Sequence, residues 1–271
     1  MIGLSKQEAT ILAQLSAKGR SIFSTQEVLA IKSSSKQSAW SILSRLVNKG
    51  WIHRLRRSTY MIVPLEAGLN RRWAEDSFKL AHELFSPCYI AYRSALSHWQ
   101  LTEQIPSVTT VAVCKPRKLP QQPLIRRQFR LVSLTPRKFF GFTTVWRDNL
   151  KVNISDIEKT ILDCLEKPQY AGGIDQAIQA LFQARQTRLD LDKLDAYLKK
   201  FRNNSLLKRI GFLLDFIGAL NVDHKRAWLE KLNTNIALLD PLGAATGEIC
   251  RDWRIRINLD MQNEPWTEAA R

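Results

Sequence analysis

Residues 35–63, SKQSAWSILSRLVNKGWIHRLRRSTYMIV, change from helical to extended periodicity at Gly50. Before this glycine, apolar residues recur three and four positions apart, which predicts a helix over 36–49 that is capped by Ser35. After it, apolar residues flank a basic turn at 56–59, which predicts a β-hairpin with an arginine-rich tip. The stretch therefore predicts a helix followed directly by a basic hairpin.

Two further helices are expected upstream of this stretch. Ser5 and Glu8 form an S-x-x-E capping box, in which the two side chains satisfy main-chain amides at a helix start. Ser24 and Glu27 repeat the pattern, and apolar residues at helical spacing follow both boxes. Three short helices and a basic hairpin are the order of a winged helix-turn-helix, which we predict for residues 1–64.

Duplex DNA is the partner that this module predicts. In a winged helix-turn-helix the third helix enters the major groove and the wing meets the neighbouring backbone. The predicted third helix contains no acid, and its outer face is polar and basic. Gln and Arg read base edges, whereas Lys and Arg neutralise phosphates. The candidate DNA-binding residues are Ser35, Lys36, Gln37, Trp40, Ser41, Ser44, Arg45, Arg54, Arg56 and Arg57.

Alternatives to DNA contact remain open at this point. Trp40 has two interpretations, since it either packs against Trp51 or Tyr60 or stacks on the DNA. Winged modules also mediate protein contacts, and a basic helix face is often only solvated.

Charge and composition support a nucleic-acid partner. The chain has 271 residues, 45% of them hydrophobic, and a net charge of +16. The apolar share excludes a disordered protein, and the charge attracts polyanions. Up to residue 72 there are about twelve basic and three acidic side chains, so more than half of the net charge lies in the first 72 residues. The chain has neither a membrane-length apolar run nor a secretory signal pattern, so we expect a cytoplasmic protein.

A larger second domain is expected after a linker at 65–71. Extended segments and amphipathic helices alternate over 72–271, which predicts an α+β fold with a small central sheet and several C-terminal helices. One helix is expected to begin at a third capping box, formed by Ser155 and Glu158. The fold class of the whole chain is therefore predicted to be α+β.

A second basic patch lies within the second domain. Residues 104–147 contain no Asp or Glu, although nine basic residues occur there. This patch would extend the DNA contact, meet RNA or an acidic protein, or form a mobile solvated loop. Its candidate residues are Lys115, Arg117, Lys118, Arg126, Arg127 and Arg130.

The sequence carries no signature of catalysis. Asp156, Glu158 and Asp163 lie close together, but caps and the helix dipole account for acids in a first helical turn. No P-loop, G-x-S-x-G or H-E-x-x-H motif occurs, and the four cysteines lie far apart. We therefore predict no catalytic residue, no cofactor and no metal site.

Several segments of the second domain carry a resemblance to a known family. Residues 92–106 (YRSALSHWQLTEQIP), 154–163 (ISDIEKTILD) and 170–173 (YAGG) are similar to the AbiEi-type antitoxins of type IV abortive-infection systems. Residues 239–241 with 253–258 fit as well. The resemblance implies a non-enzymatic repressor that binds inverted repeats in its own operon. It further implies a C-terminal domain that counters a nucleotidyltransferase-like toxin without a stable complex.

Two other functions stay open beside an autorepressing antitoxin. A ligand-responsive winged-helix regulator would require a closed apolar pocket in the second domain. A nucleic-acid enzyme would require clustered carboxylates or a metal ion. The oligomeric state is open too, with two copies on the DNA as one arrangement.

Overall fold

The three predicted N-terminal helices form, and each begins at its predicted capping residue. In the first cap, Glu8 N donates to Ser5 Oγ (3.3 Å) and Ser5 N donates to Glu8 Oε2 (2.8 Å). The same reciprocal bonds join Ser24 and Glu27, while Ser35 Oγ accepts a main-chain amide of the third helix. The helices are α1 (Lys6–Ala17), α2 (Thr25–Lys32) and α3 (Lys36–Asn48).

A computed structural model describes most of the chain. The predicted linker at 65–71, and with it the domain boundary, lies outside the described residues. The described residues are 3–17, 19, 21–32, 35–63, 76–120, 123–147, 150–187 and 189–261.

A three-stranded antiparallel sheet completes the N-terminal region. It consists of β1 (Ile22–Ser24), β2 (Ile52–Arg56) and β3 (Thr59–Ile62), in the order β1-β3-β2. Strands β2 and β3 are the predicted wing, although its turn is tighter than predicted and consists of Arg57 and Ser58. Strand β1 was not predicted, because three residues are too few to display an alternating pattern.

The apolar faces of these helices and strands form the N-terminal core. Ile11, Leu15, Val28, Ile42 and Leu46 are at most 2% exposed. Burial of a large aliphatic side chain stabilises a fold by about 1.5–3 kcal/mol, so this cluster holds the three helices together.

The second region is built on a five-stranded sheet of order β6-β5-β4-β8-β7. Strand β4 pairs in parallel with β8, and β5 with β6, whereas the other neighbours are antiparallel. The strands are β4 (Cys88–Ile90), β5 (Thr109–Val113), β6 (Phe129–Ser133), β7 (Phe142–Arg147) and β8 (Leu150–Ser155). Helix α4 (Ser77–Phe85) precedes β4, while α5 (Tyr92–His98) and α6 (Pro123–Gln128) connect β4 to β5 and β5 to β6.

In the described part of the chain, five helices and a small second sheet follow the large sheet. The helices are α7 (Ile157–Glu166), α8 (Ile174–Thr187), α9 (Leu191–Phe201), α10 (Asn204–Phe216) and α11 (Val222–Leu229). The sheet has the order β10-β11-β9 and consists of β9 (Ala237–Leu238), β10 (Glu248–Cys250) and β11 (Ile255–Ile257). The predicted α+β class and the C-terminal helices are therefore confirmed.

The capping box predicted at Ser155 is wrong. Helix α7 begins one residue later, where Asp156 is the N-cap and accepts a hydrogen bond from Lys159 N. Ser155 instead ends β8, and its hydroxyl contacts Thr160 and the carbonyl of Ile90. A strand that runs directly into a helix leaves Ser155 buried between the two elements, so its side chain cannot cap α7.

The N-terminal sheet packs against the second region. Leu55 and Met61, from the two wing strands, share a hydrophobic cluster with Leu80 and Leu84 of α4. All four are buried. The wing is therefore held against α4 by a common core.

Candidate nucleic-acid interface

Helix α3 exposes the face that the sequence predicts. Its buried residues, Ala39, Ile42, Leu43 and Leu46, follow helical spacing and turn the other face outward. The seven predicted DNA-binding residues of this segment are all exposed, and Trp40 is 59% exposed. They are Ser35, Lys36, Gln37, Trp40, Ser41, Ser44 and Arg45.

Arg45 differs from its neighbours because it is bound to a carboxylate. Its Nε lies 3.3 Å from Glu8 Oε1 in α1, and its Nη1 lies 3.0 Å from Ser41 Oγ. Lys49 Nζ lies 2.7 Å from the other oxygen of Glu8. The Glu8 side chain is fully buried, and the bond from Lys49, together with the Ser5 amide, lowers its pKa to about 2.

This three-membered ion cluster was missed from the sequence. Glu8 was recognised only as a capping residue, and its cationic partners lie 37 and 41 positions further along the chain. No local pattern reports such a contact. As a consequence, Glu8 holds Arg45 in place on α3, although that side chain remains 51% exposed.

The wing carries its three predicted arginines on the surface. Arg54, Arg56 and Arg57 are exposed, and Arg56 Nε donates to Thr59 Oγ1 at 3.2 Å. The turn residue Ser58 has a φ of 58°, and its carbonyl accepts the amide of Thr25 at 3.1 Å. The wing tip is thereby bound to the start of α2.

A pocket of about 380 Å³ lies between α3 and the wing. Trp40 and Ser44 line one side, and Arg54 and Arg57 line the other. Thr25 Oγ1 also lies in this pocket, buried and without a hydrogen-bond partner among the described residues. Trp40 is thus exposed at a pocket that it shares with Tyr60, rather than buried against the core. The pocket joins the two predicted DNA-binding elements into one surface.

The second basic patch divides into two groups. Strands β5 and β6 are parallel, with Thr109 opposite Phe129 and Val113 opposite Ser133. Residues that follow Val113 and residues around Phe129, including Arg130 opposite Thr110, therefore lie toward opposite ends of β5, which are about 13 Å apart at 3.3 Å per residue. Lys115, Arg117 and Lys118 form the first group, while Arg126, Arg127 and Arg130 form the second, and all six are exposed.

The carboxylates of α7 each have a structural partner. Asp156 caps the helix and accepts the hydroxyl of Tyr197, and Glu158 binds Lys193. Asp163 is buried against Lys159. Within the described ranges, no group of three His, Cys, Asp or Glu side chains is arranged to hold a metal ion.

Over the described ranges, no helix combines the length and the apolar composition that a membrane crossing requires.

Comparisons with known proteins bear on both regions. Residues 11–63 match the family model described as transcriptional regulator, AbiEi antitoxin. The fold is similar to the crystal structure of the RV2827C protein from Mycobacterium tuberculosis, with a TM-score of 0.66 and 12% identity, over 93% of this chain and 92% of that chain. At this identity the likeness concerns the fold alone. No curated protein sequence matches the chain.

The family match covers the elements that place the basic face. It begins within α1 and ends after β3, so it includes α2, α3 and the wing. Over residues 11–63, the N-terminal region is therefore similar to the AbiEi antitoxin transcriptional regulators.

Proposed function

We propose that the protein is a transcriptional repressor that binds duplex DNA in its own promoter, at inverted repeats. The observation that carries the proposal is the exposed face of α3, which contains no acid and meets the arginines of the wing across one pocket. Such a face fits a major groove flanked by phosphates.

Individual residues divide between reading bases and binding phosphate. Gln37 and Arg45 are proposed to read base edges. Glu8 orients the Arg45 side chain, about half of which remains exposed to reach the DNA. The wing arginines and Lys36 are proposed to contact phosphates, which position the protein without specifying sequence. Trp40 is proposed to stack on the DNA at the mouth of the pocket.

Replacing Arg54 and Arg57 together by Ala is expected to weaken binding to all DNA sequences. Each lost phosphate contact makes the slope of log K against log salt less negative by about 0.9, so the pair changes it by about 1.8. Titration of a fragment that carries the promoter, and of a random duplex of equal length, measures both effects. Arg185→Ala with Arg226→Ala removes the same charge from exposed positions of α8 and α11 and should leave the slope unchanged.

Replacing Gln37 by Ala tests whether α3 reads the base sequence. The change is expected to weaken binding to the promoter fragment by about 1–3 kcal/mol and binding to the random duplex only slightly. Equal losses on both duplexes, or no loss on either, would show that α3 does not read the sequence.

We further propose that the protein acts as the antitoxin of a type IV pair, in the cytoplasm, against a nucleotidyltransferase-like toxin with which it forms no stable complex. The AbiEi match and the resemblance of the second region to such antitoxins support this proposal. We assign the chain no catalytic role and no cofactor.

Promoter binding and toxin neutralisation are expected to be separable by point substitutions in the full-length protein. Truncation after the wing would uncover Leu55 and Met61, which pack on α4, so point variants are the cleaner test. The Arg54→Ala, Arg57→Ala protein should lose promoter binding and still rescue cells that express the neighbouring gene. Loss of rescue at equal protein level would mean that neutralisation acts through DNA binding.

The neighbouring gene also decides between this function and a ligand-responsive regulator. A nucleotidyltransferase encoded beside this gene would favour the antitoxin, whereas a metabolic enzyme there would favour the regulator.

A further inference from the structure

A groove of about 530 Å³ lies between the wing and the second region. One wall is the end of β2, the floor is the C-terminal end of α4, and the other wall is the segment that follows β5. Its lining residues are Arg56, Glu83, Leu84, Phe85, Ser86, Arg117, Lys118 and Pro120.

The walls of this groove are held by one hydrophobic core. Leu55, the residue before Arg56, packs in the same cluster as Leu84 and Phe85 at the groove floor. The other wall leaves the sheet after Val113, which pairs with Cys88 and belongs to this cluster as well. The chain segments that carry Arg56 on one wall and Arg117 and Lys118 on the other are therefore both anchored in one core.

The groove is cationic. Among the described residues, three basic side chains line it together with one carboxylate, that of Glu83. Arg56, Arg117 and Lys118 are exposed, and within the described ranges neither Arg117 nor Lys118 forms an ion pair. Cations on opposite walls that lack carboxylate partners suit a polyanion that runs between them.

We propose that this groove carries the phosphodiester backbone of the same duplex that α3 and the wing engage. The inference rests on the proposed DNA-binding function and adds Arg117 and Lys118 as phosphate contacts from the second region. Continuity with the wing favours duplex DNA over RNA or an acidic protein, because Arg56 follows Arg54 by two residues on strand β2. The second group of the basic patch, at the other end of β5, takes no part in this contact.

The expected consequence is a longer footprint than α3 and the wing produce alone. The full-length protein should protect backbone sugars beyond the wing from hydroxyl radicals on its promoter fragment. Replacing Arg117 and Lys118 by Ala should remove that added protection and leave protection by α3 in place. Preference for the promoter over a random duplex should stay unchanged, since phosphate contacts carry no sequence information.

Salt dependence gives the quantitative test. Loss of two phosphate contacts should make the log–log salt slope less negative by about 1.8, so that raising salt fourfold weakens the variant roughly 12-fold less than the wild type. Arg126→Ala with Arg127→Ala is the matched control, because it removes the same charge from the other end of β5. Its slope and footprint should equal those of the wild type.

Two results of the salt titration would overturn the inference. The first is an unchanged slope in the Arg117, Lys118 variant, and the second is an equal change in the control, which would indicate only the field of the net charge. Circular dichroism of each variant establishes that it is folded.

Failure of the wild type to bind the promoter would instead overturn the proposed function. Binding by the wild type that requires Arg54 and Arg57, but not Arg117 and Lys118, would overturn this inference alone. Wild-type binding of an acidic polypeptide at this groove, in preference to DNA, would also contradict it.

Discussion

Replacing Lys159 by Met is expected to lower the free energy of unfolding by about 3–5 kcal/mol, because it leaves a carboxylate buried without its cation. Lys159 and Asp163 face each other one turn apart on α7, and both side chains are at most 1% exposed. The ammonium group also lies over the rings of Phe140 and Phe201, 5.3 and 4.9 Å from their centres. Urea unfolding followed by tryptophan fluorescence measures the loss.

The pH dependence of the Lys159→Met protein follows from the same burial. Burial raises the pKa of Asp163, and Lys159 opposes that rise. Without the lysine, the folded carboxyl titrates at a still higher pH, while the unfolded one keeps its ordinary value near 3.9. Between those two values the folded state binds more protons, so the variant should become more stable as the pH falls from 7 to 5.

The double variant Lys159→Met, Asp163→Leu is the control for this pair. Apolar side chains of similar size replace both charges, so most of the lost stability should return. A double variant as unstable as the single one would mean that packing, rather than an unpaired charge, explains the loss. A single variant within 1 kcal/mol of the wild type would contradict the prediction outright.

The burial of Lys159 and Asp163 also indicates a role for the sequence segments that are similar to AbiEi antitoxins. Ser155, Lys159 and Asp163 belong to residues 154–163, one of the segments in which the resemblance to AbiEi antitoxins was seen, and all three are buried. Tyr92, which opens another of these segments, is fully buried too. These buried residues therefore contribute to the fold of the second region, whereas Glu103, Gln104 and Ile105 of segment 92–106 are exposed.

The N-terminal region was predictable because its signals are local. Ser5, Ser24 and Ser35 each sit directly before the helix that they cap, and the change of periodicity at Gly50 marks the start of the wing. Each of these signals involves residues within a few positions of one another. The helix starts and the hairpin could for this reason be assigned from the sequence alone.

The features that the sequence did not predict depend on distant neighbours or on short elements. Strand β4 has three residues, all buried, so it displays no alternation, and its existence depends on partners in β5 and β8. The basic patch looked continuous along the chain, but the parallel pairing of β5 and β6 separates it into two groups. The groove that unites Arg56 with Arg117 likewise needs the packing of the wing on α4.

Replacing Glu8 by Gln is expected to destabilise the N-terminal region by about 2 kcal/mol at pH 7, since hydrogen bonds to charged groups contribute about 1.5–3 kcal/mol each. The change weakens the bonds from Lys49 and Arg45 to a carboxylate that is fully buried. It also frees Arg45, whose orientation on α3 the carboxylate fixes. Urea unfolding at pH 7 tests the first effect, and promoter preference over a random duplex tests the second.

The pH dependence separates this cluster from a simple helix cap. The folded pKa of Glu8 is about 2, below its ordinary value of 4.5, so its contribution is complete above pH 4.5 and is lost as the pH falls through 2. The difference between wild type and Glu8→Gln should therefore shrink between pH 5 and pH 2. Ser5→Ala is the control, because it removes about 1 kcal/mol of capping and leaves both ion pairs. A Glu8→Gln effect no larger than that of Ser5→Ala, and equally insensitive to acid, would mean that the carboxylate only caps α1 and that Arg45 is positioned by α3 itself.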